Sequence, residues 1–346
     1  MELKLSISQL GDNKMKTIVI TGGCGFVGHH IVEHFLKETD WNIVVLDKLS
    51  YASDYERLRD INCFDNKRVS IYSVDLTLPI STGVKKEIGK VDYIINLASE
   101  SHVDNSIKEP VGFIQNNVNL MLSMLEWARE IKPKKFIHFS TDEVYGTAPI
   151  DVDYKEGDRH NPGNPYSASK SAQEAICRAY SNTYELNINI TNSMNIIGER
   201  QHPEKFVPMC IRKILNDDTI TIHADPTLKI SGTRYYIHAR NVAQAVHFIL
   251  TETNEKLDKI DASKGVWNIV GEREISNLDL AKMIAVALNK DLIFEMVNFH
   301  ESRPGHDLRY ALDGAKLADN GFEFPLNLEE SLRNTIQWTL NNKKWM

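Results

Sequence analysis

Cysteine is scarce in this chain: there are four in 346 residues, and no two form a CxxC pair. That excludes a disulfide-stapled scaffold and a cysteine-based zinc framework, and the four read as reduced thiols of a cytoplasmic protein. Positive charge is in deficit too. Against 47 acidic residues stand 40 Lys and Arg, a net charge of −7, which argues against a nucleic-acid or anionic-membrane face because both need a basic surface. No apolar run is long enough to span a bilayer. The opening MELKLSISQLGDNKMK lacks a cationic, apolar, small-residue signal pattern. Residues 1–14 read as a polar leader, with Met15 as an alternative start. The histidines show no metal-ligand spacing, so no metal is expected. Low-complexity tracts and internal repeats are missing as well. What remains is a globular composition, 42% hydrophobic and 25% charged, in a length suited to one α/β unit with an elaborated lobe.

The first half alternates two patterns. Short β-branched runs occur at 17–21, 42–46, 69–74, 91–96, 135–139 and 188–191, with helical patterns between them. Strands alternating with helices imply a parallel sheet covered on both faces. The expected fold is therefore α/β, a Rossmann-type doubly wound parallel sheet with a smaller C-terminal α/β lobe. We place the sheet domain at 15–194, with 234–252 crossing back to it once, and the lobe at 195–233 and 253–346. Two helices stand out. In 117–131, Val118, Met121, Leu122 and Leu125 form one apolar stripe and Leu120, Met124, Trp127 and Ile131 another, so both sides need a partner. In 166–186, Ala168, Ala172, Ala175 and Ala179 form a small-residue stripe that permits close helix approach. Paired helices of a homodimer would satisfy both, although the chain's own second lobe could cover them. His29, His30 and His34 lie on one helix and are placed at its solvated edge.

Thr21-Gly22-Gly23-Cys24-Gly25-Phe26-Val27-Gly28 follows a strand and opens a helix. Glycines there let the backbone approach a pyrophosphate, and the helix N-terminus supplies N–H donors and a positive dipole. Gly22, Gly25, Phe26, Val27 and Gly28 are thus candidates for dinucleotide binding. Asp47 ends the second strand about 20 residues on, where an acid binds the ribose hydroxyls. Its charge repels a 2′-phosphate, so NAD is expected over NADP, with Lys48 beside it as a mild complication. Asp75 after the third strand, its neighbour Leu76, and Leu97 and Ala98 after the fourth join the cofactor set, as do Tyr166 and Lys170. Asp75 reads nearly as well as a simple loop acid.

Tyr166-Ser167-Ala168-Ser169-Lys170 is a YxxxK. At i and i+4 of a helix the ammonium lies near the phenol. A free tyrosine, with a pKa of roughly 10, is a poor base near neutrality, and a neighbouring cation favours the phenolate. Just after another strand comes Ser140-Thr141-Asp142-Glu143, an adjacent acid pair that suits either a solvated turn or a general acid beside a general base.

These stretches resemble the extended short-chain dehydrogenases/reductases and, within them, the dTDP-glucose 4,6-dehydratases. The resemblance runs from about Thr17 to Trp338 and is carried by TGGCGFVG, LDKLSYA (46–52), ASESHVD (98–104), STDEVYG (140–146), PYSASK (165–170), HPEK (202–205) and RPGHD (303–307). It implies a catalytic set of Thr141, Asp142, Glu143, Tyr166 and Lys170. In the implied chemistry Tyr166 takes the sugar 4-hydroxyl proton, Thr141 bonds O4, Glu143 removes the C5 proton and Asp142 protonates the leaving 6-hydroxyl. The partner is then a nucleotide-diphosphate sugar. Ser101, His102, Asn195, Lys205, Arg234 and Arg303 are the substrate-binding candidates. The substrate half departs from the family. Its Arg-Asp-Trp block is missing, with Arg234 as a substitute, and Asn-Tyr-Gly reads Asn195-Ile196-Ile197-Gly198. UDP-, GDP- and CDP-sugars therefore stay open beside dTDP. So do a 4-epimerase or decarboxylase on the same scaffold, and a non-catalytic NAD-binding sensor. Asn117 either supports the active site or caps the helix after it.

Overall fold

The computed structural model describes residues 15–252, 264–299 and 308–346. The leader 1–14 and Arg303 lie outside the described residues. In chain order the elements are β1 (Thr17–Thr21), α1 (Phe26–Glu38), β2 (Asn42–Asp47), α2 (Tyr55–Arg59), β3 (Val69–Ser73), α3 (Thr82–Ile88), β4 (Tyr93–Asn96), α4 (Val103–Lys108), α5 (Pro110–Ile131), β5 (Lys135–Thr141), α6 (Pro165–Tyr184), β6 (Ile188–Ser193) and β7 (Asn195–Ile197). They continue with α7 (Phe206–Leu215), β8 (Ile220–Ala224), β9 (Thr233–His238), α8 (Ala239–Thr251), β10 (Val266–Ile269), β11 (Glu274–Ser276), α9 (Asn277–Leu288), β12 (Phe294–Asn298), α10 (Ala315–Asp319) and α11 (Leu328–Asn341).

Seven strands form one sheet in the order β3-β2-β1-β4-β5-β6-β10, and every neighbouring pair is parallel. Strands buried on both faces read as continuous apolar runs, as in Ile18-Val19-Ile20 and Ile43-Val44-Val45-Leu46. Side chains alternate between the two faces, so Ile18, Ile20, Ile43 and Val45 meet α1 and α8 in one core. Val19, Val44, Leu46 and Ile94 meet α5 and α6 in another. Each such fully buried aliphatic side chain contributes about 1.5–3 kcal/mol. The chain order reverses between β1 and β4, which opens a crevice at the carboxyl ends of these strands. Register brings Thr21 beside Asn96 and Thr141 beside Ser193 on that edge.

Beyond the sheet, a three-stranded sheet β11-β9-β7 and a two-stranded sheet β12-β8 pack with α7, α9 and α11 around Ile211, Ile222, Leu280 and Leu332. Four expectations are corrected here. First, the return to the large sheet extends beyond 252. After α8 comes β10, from the stretch assigned to the lobe, as the edge strand beside β6. Its run Val-Trp-Asn-Ile is short and broken by a polar residue. Asn268 is nonetheless buried, because its Nδ2 bonds the carbonyls of Tyr154 and Asp313. Conversely, β9, most of which falls in the crossing segment, belongs to the small sheet. Second, the long helix starts at Pro110, not at 117, with proline in its first turn. Third, both apolar stripes of α5 lie largely in the chain's own core: Leu120, Met121, Met124, Leu125 and Trp127 are all buried. Fourth, His29 and His30 are buried, not solvated, because α8 and the segment after β7 cover that face of α1. Burial holds the His30 imidazole neutral, its pKa pushed down to about 3. Only His34 stays partly accessible, bonded to His247 of α8.

Among the described residues, no helix is long and apolar enough to cross a membrane, and no group of three or more His, Cys, Asp or Glu could hold a metal ion. All four cysteines are buried and unpaired.

Candidate active site

One cleft runs along the carboxyl edge of the sheet, from the glycine loop past the strand ends to the segment after β7. Its floor is set by close backbone packing. The amide of Gly25 donates to the Gly22 carbonyl at 2.9 Å, which closes the turn. Gly22 has φ +68, and a Cβ on Gly28 would stand 2.1 Å from the Gly22 carbonyl oxygen. A side chain at Gly28 would therefore push the helix off the loop that must approach a pyrophosphate. The Asp47 carboxylate receives the amides of Cys24 at 2.9 Å and Leu49 at 2.8 Å. A carboxylate has about four lone-pair sites, so it still has acceptors for ribose hydroxyls. Lys48 also lines the cleft, where its ammonium meets Asn116 at 2.8 Å and Glu100 at 3.2 Å. Leu76, Leu97 and Ala98 line the cleft. Asp75 does not, because its side chain is exposed and accepts from both the amide and the hydroxyl of Thr77. The loop acid reading describes where it sits. These groups fit a dinucleotide: a glycine cradle, a helix N-terminus and a free-edged acid.

The five catalytic candidates meet at the middle of the cleft. Thr141 ends β5, and a 3-10 turn follows over Asp142–Tyr145. Tyr166 enters from the first turn of α6, whose start is fixed by a capping box between Asn164 and Ser167. The Thr141 hydroxyl donates to Asp142 Oδ1 at 2.8 Å and shares a hydrogen bond with the Tyr166 phenol. The Lys170 ammonium donates to the Phe139 carbonyl at 2.7 Å, one turn below Tyr166. Asn164 was not singled out in the sequence, yet its Nδ2 holds Glu143 Oε2 at 3.0 Å. The signal was present in the Asn-Pro-Tyr that opens the helix, where asparagine is a strong cap.

The electrostatics divide these groups. Asp142 is buried, its Oδ2 has no hydrogen-bond partner, and burial raises its carboxyl pKa to about 6. That is the environment of an acid able to carry a proton. Glu143 is less buried and is placed beside the phenol. Burial lowers Lys170 to about 8, and the buried Glu174 carboxylate works against that drop. Burial, and then the Glu143 charge, push the Tyr166 phenol up. The surroundings of Tyr166 in the cleft thus favour its protonated form, against which the Thr141 hydrogen bond works.

On the substrate side, Ser101, Asn195 and Lys205 line the same cleft. His102 lies behind it, with Nε2 3.4 Å from Glu204. Arg234 is buried outside the lining, where it donates to the carbonyls of Thr233 and Leu308 and stacks 4.4 Å over Tyr310. Its charge still reaches Asp142 and opposes the rise caused by burial. Glu100, Arg57, Gln201, His202 and Glu204 line the cleft without having been singled out. Asn117 is no cap. It is buried in mid-helix, receives the Glu100 amide at 2.8 Å and donates to Ser169 at 2.9 Å, so it ties the Ser99–Ser101 loop to α6.

Known proteins resemble this chain over nearly its whole length. Residues 18–269 match the model of the NAD dependent epimerase/dehydratase family. A dTDP-glucose 4,6-dehydratase of Neisseria gonorrhoeae is 34% identical, with 95% of this chain and 96% of the relative covered. One from Salmonella typhimurium is 32% identical, with 95% and 94% covered. Among solved structures, a dTDP-glucose 4,6-dehydratase of Bacillus anthracis in complex with NAD superposes with a TM-score of 0.81 at 27% identity, covering 95% of this chain and 98% of that one. A UDP-glucose 4-epimerase of Thermus thermophilus, also with NAD, gives 0.80 at 25% identity, covering 93% and 98%.

Proposed function

Because the chain belongs to the NAD dependent epimerase/dehydratase family, we propose that it is a nucleotide-sugar 4,6-dehydratase, an NAD-dependent hydro-lyase. The product would be a 4-keto-6-deoxy sugar still attached to its nucleotide. The observation that carries this reading is the acid pair Asp142–Glu143 in one cleft with Thr141, Tyr166 and Lys170. A 4-epimerase needs the last three alone. A protonatable buried acid beside a second carboxylate is what water loss adds.

Bound NAD would take the C4 hydride and return it at C6; the chain supplies every proton movement. Tyr166 withdraws the 4-hydroxyl proton while Thr141 bonds O4, and the Lys170 charge supports the phenolate. The C5 proton, now α to a carbonyl, is removed by Glu143, which Asn164 holds in place. Asp142 gives its proton to the departing 6-hydroxyl, and the proton held by Glu143 goes back to C5 as hydride arrives at C6. A positioned acid or base typically contributes about 10²–10⁴ in rate. The lobe that follows β6, with Asn195 and Lys205 on the cleft, would hold the nucleotide diphosphate. Outside the cleft, α5 and α6 leave Val111, Leu122, Ala175, Ala179 and Tyr184 exposed, the surface on which we place a homodimer of a cytoplasmic enzyme.

The test is mass spectrometry of the purified protein with dTDP-, UDP-, GDP- and CDP-hexoses. Loss of one water from one of them supports the reading and identifies the nucleotide. Turnover at unchanged mass, with epimerised sugar by NMR, would replace it with epimerisation.

A further inference from the structure

Arg200 has φ +63, a left-handed conformation that is uncommon for a side-chain-bearing residue and costs of order 1 kcal/mol. It begins the stretch that presents Gln201, His202, Glu204 and Lys205 to the cleft. Its carbonyl accepts from Arg57 Nε at 3.0 Å. Its own guanidinium meets Asp60 at 3.3 Å and lies 4.7 Å over the Trp338 ring. The carbonyl before it, Glu199, is bonded by His30 at 3.1 Å, and the Glu199 carboxylate is held by Arg240 at 3.0 Å and His238 at 3.3 Å.

Two of these ties reach the dinucleotide half: His30 stands on α1 behind the glycine loop, and Arg57 touches the loop itself. Arg57 is 2% exposed, and its NH1 donates to the Cys24 carbonyl in the glycine loop at 3.0 Å and to the Ala52 carbonyl after β2 at 2.8 Å. One guanidinium thus joins three backbone segments that have no sequence proximity. The carboxyl end of the chain closes behind it: the Trp345 ring stands 5.1 Å from Arg57, and Lys344 and the Trp345 indole both donate to Asp60. A guanidinium is a rigid planar fork, so its contacts on one side cannot shift without the other side following.

We propose that Arg57 is a positioning residue that couples occupancy of the glycine loop to the order of the strained segment Glu199–Lys205. Seating a dinucleotide on the glycine loop fixes the Cys24 carbonyl, Arg57 transmits that constraint, and the strained Arg200 is held in the geometry that presents Gln201 to Lys205. The protein would then bind its second ligand more tightly with NAD in place. That the second ligand is a nucleotide diphosphate rests on the function proposed above.

Hydrogen exchange followed by mass spectrometry tests the coupling in the full chain, freed of dinucleotide and then reloaded with NAD. In the native protein NAD should slow exchange both at 20–30 and at 198–206. In Arg57→Met the first protection should persist and the second disappear. Arg57→Lys, which keeps the charge but loses the fork, should behave alike and decides the matter if Arg57→Met does not fold. Protection at 198–206 that survives both substitutions, or that is missing in the native protein, overturns the proposal. Titration with dTDP and UDP gives the second readout, a gain in affinity with NAD of at least about fivefold that falls toward one in Arg57→Lys. If neither nucleotide binds, the proposed substrate class is wrong while the exchange result still decides the coupling.

Discussion

Replacing Asp142 by Asn should make the protein more stable near neutral pH and disable its chemistry. The carboxyl is buried, with one oxygen on the Thr141 hydroxyl and the other without a partner. Burial raises its pKa from 3.8 to about 6. A folded-state pKa above the unfolded one means that the native state binds the extra proton between these values. Stability therefore falls as pH rises through that window and stays lowered above it. At 1.36 kcal/mol per unit, the ionised form costs about 3 kcal/mol at pH 7. Asparagine keeps the acceptor for Thr141 and removes the charge, but its amide donor is also unpartnered, so the absolute gain is smaller than that figure. The pH dependence is cleaner. The stability of Asp142→Asn relative to the native protein should grow by about 2 kcal/mol between pH 4.5 and 7.5. Denaturant unfolding at both pH values, with NAD saturating, measures it. The same variant should lose water elimination by about 10²–10⁴, read by product mass. An unchanged stability difference across these pH values would refute the assignment of Asp142 as the buried acid, whatever the activity does.

Activity should decline above pH about 8, because the Lys170 ammonium that supports the Tyr166 phenolate is lowered to that value by burial; a pH–rate profile flat to pH 10 would remove Lys170 from this role. Gly28→Ala should lose several kcal/mol or fail to fold, since its methyl would stand 2.1 Å from the Gly22 carbonyl oxygen; a melting temperature within a few degrees of native would show that the loop relaxes. Asp47→Ala should release NAD on gel filtration, because it frees the Cys24 and Leu49 amides together with the ribose acceptor; retained stoichiometric NAD would count against Asp47 as the ribose acid.

The cofactor half of this molecule was readable because its signals are local. A strand, a glycine turn, a helix start and an acid at the next strand end all lie within 17–47, and each is forced by backbone geometry. The motifs also named the five residues that gather in one cleft. Thr141 ends β5 and Tyr166 opens α6, and what joins them is the packing of α6 on β5, where the Lys170 ammonium reaches the Phe139 carbonyl and the Tyr166 phenol meets the Thr141 hydroxyl. The misses have tertiary causes. His29 and His30 look like solvated polar residues because nothing local announces that α8 and Glu199 will cover them. Val266–Ile269 is too short and too mixed to separate from a loop until its partner β6 is known. Arg234 reads as a stand-in for the arginine that the resemblance leads one to expect; the structure places it outside the cleft lining, donating to the carbonyls of Thr233 and Leu308, the latter a contact between segments about 75 residues apart that no local pattern encodes. Arg57 reads as one more charge on a polar helix, and only the fold reveals three carbonyls around it.

Tyr166 and Glu143 make opposite demands on one another, and that conflict is measurable. In the proposed reaction Glu143 must be charged to remove the C5 proton, yet after burial its charge is the largest influence raising the Tyr166 phenol, which would have to lose a proton first. Glu143→Gln removes the charge while its amide oxygen can still accept from Asn164. The second step should stop and the first should become easier. The acid limb of C4 oxidation, followed as NADH absorbance in a single turnover, should move to lower pH, because less added positive charge is then needed to form the phenolate. No product should show loss of water. An acid limb that stays in place would mean that the two side chains do not share an electrostatic environment when substrate is bound. Loss of oxidation altogether would make Glu143 part of the hydride step, and full dehydration would place the C5 base elsewhere.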